Sequence, residues 1–388
     1  AAGLALHDAQ LIMAREYGFP SWAKLKLRVE TIETAHATAR LVIAAVRRDA
    51  ETVRTLLAER PELPRNSVSA AGVLAALEGL KIWVAKNPEF ARARGGVCDT
   101  TALGYVCLGG VGGDEATRVA CAEFLLAQGA DPNETWREGH GQEGRLPILY
   151  AAVGHHNYPR LAATLLRAGA KPNDGESVYH AAEKNHRECL AALLAAGADL
   201  GGVDAKWKNT PLYFLLGHAP DSGAAVVARG GIEWLLEHGA DPNVSVRYEH
   251  AETPLHLAVR TGWPRDLIAT LLKHGADPTL VRRDGATAYQ LAVRYGRADV
   301  ADLLAQQGAA VVATAVDHFL GACLRGDEAE ARRQLAPDAS LVGALTLEQK
   351  RAVLEPAKRG QLAVLTLMGN LGCDLAVKGE GGETPLHH

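Results

Sequence analysis

Adjacent histidines at His155 and His156, a glycine-rich GGVGGDEAT at 109–117 and six scattered cysteines are the features of this 388-residue chain whose chemistry could reach beyond packing. Two neighbouring imidazoles invite a transition metal. Successive helical residues point about 100° apart, however, so they cannot share a ligand face as an i, i+4 pair does, and no HExxH occurs. The glycine run could wrap a phosphate, but it lacks the GK[ST] ending and follows a helix rather than a strand, so a stretched helix–helix turn is expected. Nucleophilic catalysis finds no GxSxG. Cys98, Cys107 and Cys121 lie on or beside apolar helices with no recurring Cys–His arrangement. Cys189, Cys323 and Cys373 complete the set without a CxxC, and reduced thiols buried as small apolar groups are expected. Paired carboxylates read as solvated surface charge. No catalytic, metal or cofactor residue is assigned, and the chain reads as a non-enzyme.

Binding chemistry leaves a clearer trace. Loops between helix pairs repeatedly carry an aromatic group, a basic group or both: Trp136 and Arg137 in one, Lys206, Trp207 and Lys208 in another, Arg247 and Tyr248 in the next, then Arg282 and Arg283. Trp, Tyr and Arg dominate binding hot spots. Aromatics in loops can also fold back over the helices beneath them, and DGES at 174–177 breaks the series with two acids. If these loops line one edge, they form a stripe of aromatic anchors flanked by positive charge. Such a stripe suits an acidic protein partner with exposed apolar or aromatic groups.

The elements that must position this stripe are seen most plainly in ETPLHLAVRTGWPRDLIATLLKHGADP, residues 252–278. Thr253 is placed to cap a helix and Pro254 sits at its first position, where a missing N–H loses nothing. Leu255, Ala258 and Val259 give that helix one apolar stripe, and Gly262 stops it. A second helix carries Leu267, Ile268, Leu271 and Leu272, then Lys273 and His274 in the last turn, and ends at a left-handed Gly275. Two helices this short cannot bury both stripes against each other alone. GADP or a close variant recurs with its glycine at Gly129, Gly169, Gly197, Gly239, Gly275 and Gly308, and as GCD at Gly372. First helices open near Thr101, Leu146, Ser177, Thr210, Thr253, Thr287, Val316, Lys350 and Thr384.

A basic period of about 33 residues with TPLH opening each helix pair resembles the ankyrin repeat. The resemblance implies an all-α, ankyrin-repeat α-solenoid of helix-turn-helix units joined by β-turn fingers that project from one edge, in a family that binds other proteins. It places His155, His156 and His186 at the inter-helix turn. It also places His180, His256 and His387 at the TPLH position, where the family uses the imidazole to bond neighbouring loop backbone.

Residues 1–34 are not a repeat. LHDAQLIMAREYGF and a second helix opened by Pro20-Ser21-Trp22 form a pair that would cap the stack, and YGFPSWAKLK resembles a segment preceding the repeats in a group of bacterial ankyrin-repeat proteins. Residues 35–388 read as about ten repeats, some degenerate, plus a truncated C-terminal stub. Neither end looks native, so a piece of a longer array is expected.

Bulk composition agrees with that reading. Hydrophobic content is 48% with only 5% aromatic, which suits thin helix-on-helix layers of small aliphatic side chains. A formal net charge of −4 excludes a generally basic nucleic-acid binder. No apolar run reaches the roughly 20 residues needed to span a bilayer, and the start lacks a signal-peptide pattern. A cytoplasmic, bacterial protein fits. The expected function is a non-enzymatic binding scaffold. A small-molecule binder using the same groove, with Trp136, Trp207 and Tyr248 as stacking walls, and a regulatory arm of a larger enzyme stand as alternatives.

Overall fold

Threonine at the opening of pairs such as those at Thr210, Thr253, Thr287 and Thr314, and glycine at the close, set the architecture. The computed structural model describes residues 6–137, 144–205, 207–246, 251–338, 340–379 and 382–387. Along these stretches short helices alternate with turns. Among the described residues the one sheet is a two-residue pairing of Thr135–Trp136 with Leu146–Pro147. The fold is the all-α ankyrin-repeat arrangement, with pairs such as Pro254–Thr261 and Arg265–Lys273, or Ala288–Arg294 and Ala298–Gln306.

Each pair is closed by local chemistry. Thr287 N–H donates to Gln290 Oε1 at 2.9 Å while Gln290 N–H returns to Thr287 Oγ1 at 3.2 Å. Thr314 with Asp317 and Thr346 with Gln349 repeat this reciprocal cap. Openings that have lost TPLH therefore keep its capping logic with a different side chain. This moves the expected helix starts from Val316 to Ala315 and from Lys350 to Leu347. At the other end, Gly129, Gly169, Gly197, Gly239, Gly275, Gly308 and Gly372 all have φ between 84° and 100°, where a side chain would be strained.

Asparagine staples one repeat to the next. Asn243 Nδ2 donates to the Gly275 carbonyl at 2.8 Å, and Asn243 Oδ1 accepts from Asp277 N–H at 2.8 Å. Asn133 makes the same pair of bonds to Gly169 and Lys171, both at 2.9 Å. The last letter of GADPN is thus an inter-repeat bridge.

The chain divides into two compact units, Ala1–Ala181 with Glu188–Ala198, and Ala182–Arg187 with Asp199–His388. In the first, Leu6–Glu16 is followed by a single 25-residue helix, Trp22–Val46, which runs through the boundary expected at residue 34. No glycine or proline interrupts it, and Ser21 caps its start. Its buried residues are Leu41, Val42, Ala44 and Ala45, whereas Leu27, Val29 and Ile32 stay exposed.

In the second unit Leu255, Ala258, Val259, Leu267, Ile268 and Leu271 are all fully buried. A side chain of Leu or Ile size contributes about 1.5–3 kcal/mol on burial, so these stripes hold the pair to its neighbours. Packing is tightest where backbones meet. A Cβ at Gly231 would overlap the Ala182 carbonyl oxygen. Gly231→Ala should therefore cost about 1–3 kcal/mol, despite alanine's better helix propensity. A urea midpoint equal to that of the parent would refute this close contact.

Candidate functional site

The fingers do not form one uniformly exposed stripe. Trp136 lies on the Thr135–Trp136 strand, is only 2% exposed, and meets the His155 ring edge-on at 5.6 Å. It folds back over the helices, so it is no surface anchor. Arg137 beside it is exposed, with Nε 3.8 Å from Asp99. Trp207 is 43% exposed, and the backbone N–H groups of Trp207 and Lys208 are fixed by the Asp204 side chain and carbonyl, both at 2.8 Å. Lys208 is exposed and has φ 56°. Lys206, Arg247 and Tyr248 lie outside the described residues.

Arg282 and Arg283 part company. Arg283 is exposed, but the Arg282 side chain is fully buried. Its guanidinium reaches Glu252 at 3.3 Å, Asp284 at 3.1 Å and Glu348 at 3.2 Å. The acidic partner that the stripe was expected to attract is, at this position, supplied by the chain itself. Glu348 comes from the Leu347–Lys350 helix, far along the sequence.

Glu252 is the centre of that network. It accepts from the Tyr213 hydroxyl at 2.8 Å, from Arg260 at 2.5 Å and 3.3 Å, and from Arg282 at 3.3 Å. Burial pushes its carboxyl up, but the attraction and hydrogen bonds of Arg260, then Arg282 and Tyr213, more than offset this and hold it below the usual value. A carboxylate so fully subscribed is suited to holding structure rather than to proton transfer. No local pattern marks Glu348 or Tyr213 as members of this network. Glu252 directly before TPLH was its one local trace.

The paired histidines have structural work. From the Pro147 cap to the left-handed Asn157 the chain runs one residue further than from the Thr253 cap to the left-handed Gly262, and the extra residue is absorbed as a π-turn over Ala151–His155. His156 Nε2 lies 2.8 Å from the Leu108 carbonyl oxygen, while Arg48 Nε approaches Nδ1 at 3.2 Å. Burial, then the Arg48 charge, lowers its pKa to about 3, so the imidazole is neutral with both nitrogens engaged.

His256 is fully buried, and its Nδ1 turns back onto its own Thr253, 2.8 Å from the hydroxyl. His387 does the same with Thr384 at 2.9 Å. His180 sits one residue beyond the TPLH register, because Ser177 is the first helical residue rather than the cap. It packs on the Tyr150 ring at 4.7 Å.

The glycine-rich run makes room for two arginines. A Cβ at Gly109 would overlap the Val73 carbonyl and the Arg118 guanidinium, and one at Gly110 would meet Arg48 Cγ at 2.5 Å. Arg118 is fully buried, donating to the carbonyls of Val73 at 3.2 Å, Val106 at 3.0 Å and Val111 at 3.2 Å. These glycines serve packing rather than phosphate.

All six cysteines are buried and unpaired. Burial raises Cys107 and Cys189 to about 12 and Cys98 to about 11, which makes them poor nucleophiles. Among the described residues no three His, Cys, Asp or Glu side chains are grouped to hold a metal, and no helix is long and apolar enough to cross a membrane.

Each unit has a groove. One of about 720 Å³ lies in the first unit between Leu27, Thr31 and Thr38 of the long helix and Trp83, Lys86 and Val97. One of about 520 Å³ in the second is lined by Gln290, Arg294, Asp317, Leu347 and Arg351 beside the Asp284 finger.

Comparison with known proteins agrees with this geometry. The family description "Ankyrin repeats (3 copies)" matches residues 223–315. A protein named for ankyrin repeats in fowlpox virus (strain NVSL) is 32% identical over 124 residues, covering 32% of this chain and 78% of the viral one. The ankyrin repeat protein nuc-2 of Neurospora crassa is 27% identical over 161 residues, 40% of this chain but 13% of its own length. The human 2-5A-dependent ribonuclease is 43% identical over 65 residues, 17% of this chain and 8% of that one. Among solved structures, the human ASB11 ankyrin repeat domain is matched with a TM-score of 0.45 at 25% identity, covering 63% of this chain and 99% of that domain. With its capped helix pairs, left-handed closing glycines and asparagine bridges, the chain belongs to the ankyrin-repeat proteins.

Proposed function

We propose that this chain is a non-enzymatic scaffold that holds a protein partner on its exposed finger residues. The exposure of Trp207 carries the reading: it is 43% exposed on a finger, whereas Trp136, Trp234 and Trp263 are 2%, 4% and 2% exposed. Lys208 beside it, Arg283 on another finger of the same unit and Arg137 on the first unit add exposed positive charge. Lys206, Arg247 and Tyr248 join the proposal by their place in the sequence. A partner that is acidic and offers apolar or aromatic groups would satisfy both components, and a cytoplasmic setting suits six unpaired thiols. A small-molecule site between aromatic walls is less well supported, because Trp136 is buried. As a regulatory arm of a larger enzyme the chain would work through the same fingers.

Truncating a hot-spot aromatic costs about 2 kcal/mol or more, so Trp207→Ala should weaken a partner recovered by pulldown at least about 30-fold. Lys208→Ala with Arg283→Ala should mainly slow association and flatten its salt dependence. Helical circular dichroism in each variant is the control. A partner that binds all of them as tightly as the parent removes the fingers from consideration.

A further inference from the structure

Arg297 and Arg359 in the second unit donate their side-chain hydrogen bonds only to neutral carbonyls. Arg297 Nη2 reaches Trp263 at 2.7 Å and Arg359 Nη2 reaches Thr261 at 3.2 Å. Neither has a carboxylate partner among the described residues, and Arg297 Nη1 is buried with no acceptor. Together with Arg260 they line a cavity of about 80 Å³, shared with Tyr295, Glu355 and Gln361. Gly262 leaves the Arg359 guanidinium its room, since a Cβ there would stand 2.5 Å from Nη2.

Charge in this space is unbalanced. Arg260 is committed to Glu252 at 2.5 Å, and Glu355 lies 3.7 Å from the Lys358 ammonium. Burial holds the Arg297 pKa below the usual guanidinium value, with Asp299 pulling against that and Arg359 adding to it. With Glu355 shared with Lys358 and no carboxylate among the described residues bonded to either guanidinium, positive charge is in excess here and favours an anion between the two groups. Their planar forks match the oxygens of phosphate or sulfate. The volume exceeds the roughly 30 Å³ share of one water.

We propose that this cavity binds a small tetrahedral oxyanion, held by Arg297 and Arg359. The bound anion ties the turn between Ala288–Arg294 and Ala298–Gln306, which carries Arg297, to the turn that follows Lys358, which carries Arg359.

Calorimetric titration of inorganic phosphate into the full chain, at constant ionic strength in chloride-free buffer, tests this. Saturable 1:1 binding is expected. Arg297→Gln and Arg359→Gln should each weaken it about ten-fold or more, a difference of about 1.4 kcal/mol. Lys273→Gln, an exposed charge removed elsewhere in the unit, should leave it unchanged. Phosphate also stabilises proteins generally by exclusion from their surfaces, so a rise in Tm that is equal in parent and variants counts against the site. O-phosphoserine is the second ligand. Tight binding of it assigns the oxyanion to a phosphoryl group on a larger molecule, and weak binding assigns it to the free anion. If Arg297→Gln does not fold, Arg359→Gln, on an exposed residue, decides. No saturable heat with either ligand means that water fills the cavity, and the proposal falls.

Discussion

Arg118→Leu should open the middle of the first unit. Arg118 is fully buried and bonds three carbonyls from three segments, those of Val73, Val106 and Val111, while its guanidinium stands 5.6 Å above the Tyr158 ring. Leucine matches its apolar stem but none of its donors. Each buried carbonyl left without a partner costs about 1–3 kcal/mol. Removing a buried charge returns part of that, because burying the guanidinium was itself costly. A net loss of about 3 kcal/mol is expected.

Since repeats pack chiefly against their nearest neighbours, the loss should be local. Hydrogen exchange in the full chain should quicken around 73–118 while the Ala288–Arg294 and Ala298–Gln306 pair stays as protected as in the parent. Unchanged exchange near Val73, Val106 and Val111 would mean that those carbonyls do not depend on Arg118. Arg118→Lys gives a graded check, since one ammonium cannot span three carbonyls as a fork does.

Features set by neighbours in sequence were legible in advance. The Thr253 start, the left-handed Gly275 and the Leu255, Ala258 and Val259 stripe follow from capping and helical period, and all appear in the structure. The absence of any breaker between Trp22 and Val46 was legible too. Reading the cap and the first repeat as separate pieces nevertheless put a boundary inside one continuous helix.

Burial of finger residues was not legible, because it depends on acceptors far along the chain. Arg282 looked like Arg283. What separates them is Glu252 and Glu348, 30 and 66 residues away from Arg282 in sequence. Trp136 differs from Trp207 in the same way: one finds the His155 ring beneath it, the other stands half-exposed on its finger. The π-turn that carries His155 needed a one-residue register count against the Thr253 helix, which period alone does not give.

The other large effect is expected at Glu252. Glu252→Gln removes the negative charge between Arg260 and a fully buried Arg282. Breaking a buried pair by neutralising one member costs about 3–5 kcal/mol, because the remaining charge is left uncompensated. Asp284 and Glu348 still face Arg282, which places the expected loss near the lower end, about 3 kcal/mol.

The pH profile identifies the cause. The folded carboxyl sits below its ordinary value of 4.5, so its contribution is fully present above that pH and is lost as pH falls through the folded pKa. His156 and His256 complicate the same range. Their pKa values are lowered to about 3 and about 4, chiefly by burial. Protonation of the unfolded chain below about 6.5 therefore erodes stability in parent and variant alike.

The informative quantity is the gap between the two proteins in urea unfolding. It should be constant from pH 7 down to about 5 and shrink steadily at lower pH. Glu348→Gln should open a smaller gap, since Arg282 keeps Glu252 and Asp284. If Glu348→Gln proved as damaging as Glu252→Gln, the buried charge would be anchored by the returning Leu347–Lys350 helix instead. A gap between parent and Glu252→Gln that does not change with pH would show that the missing contribution is packing rather than the ionised carboxylate.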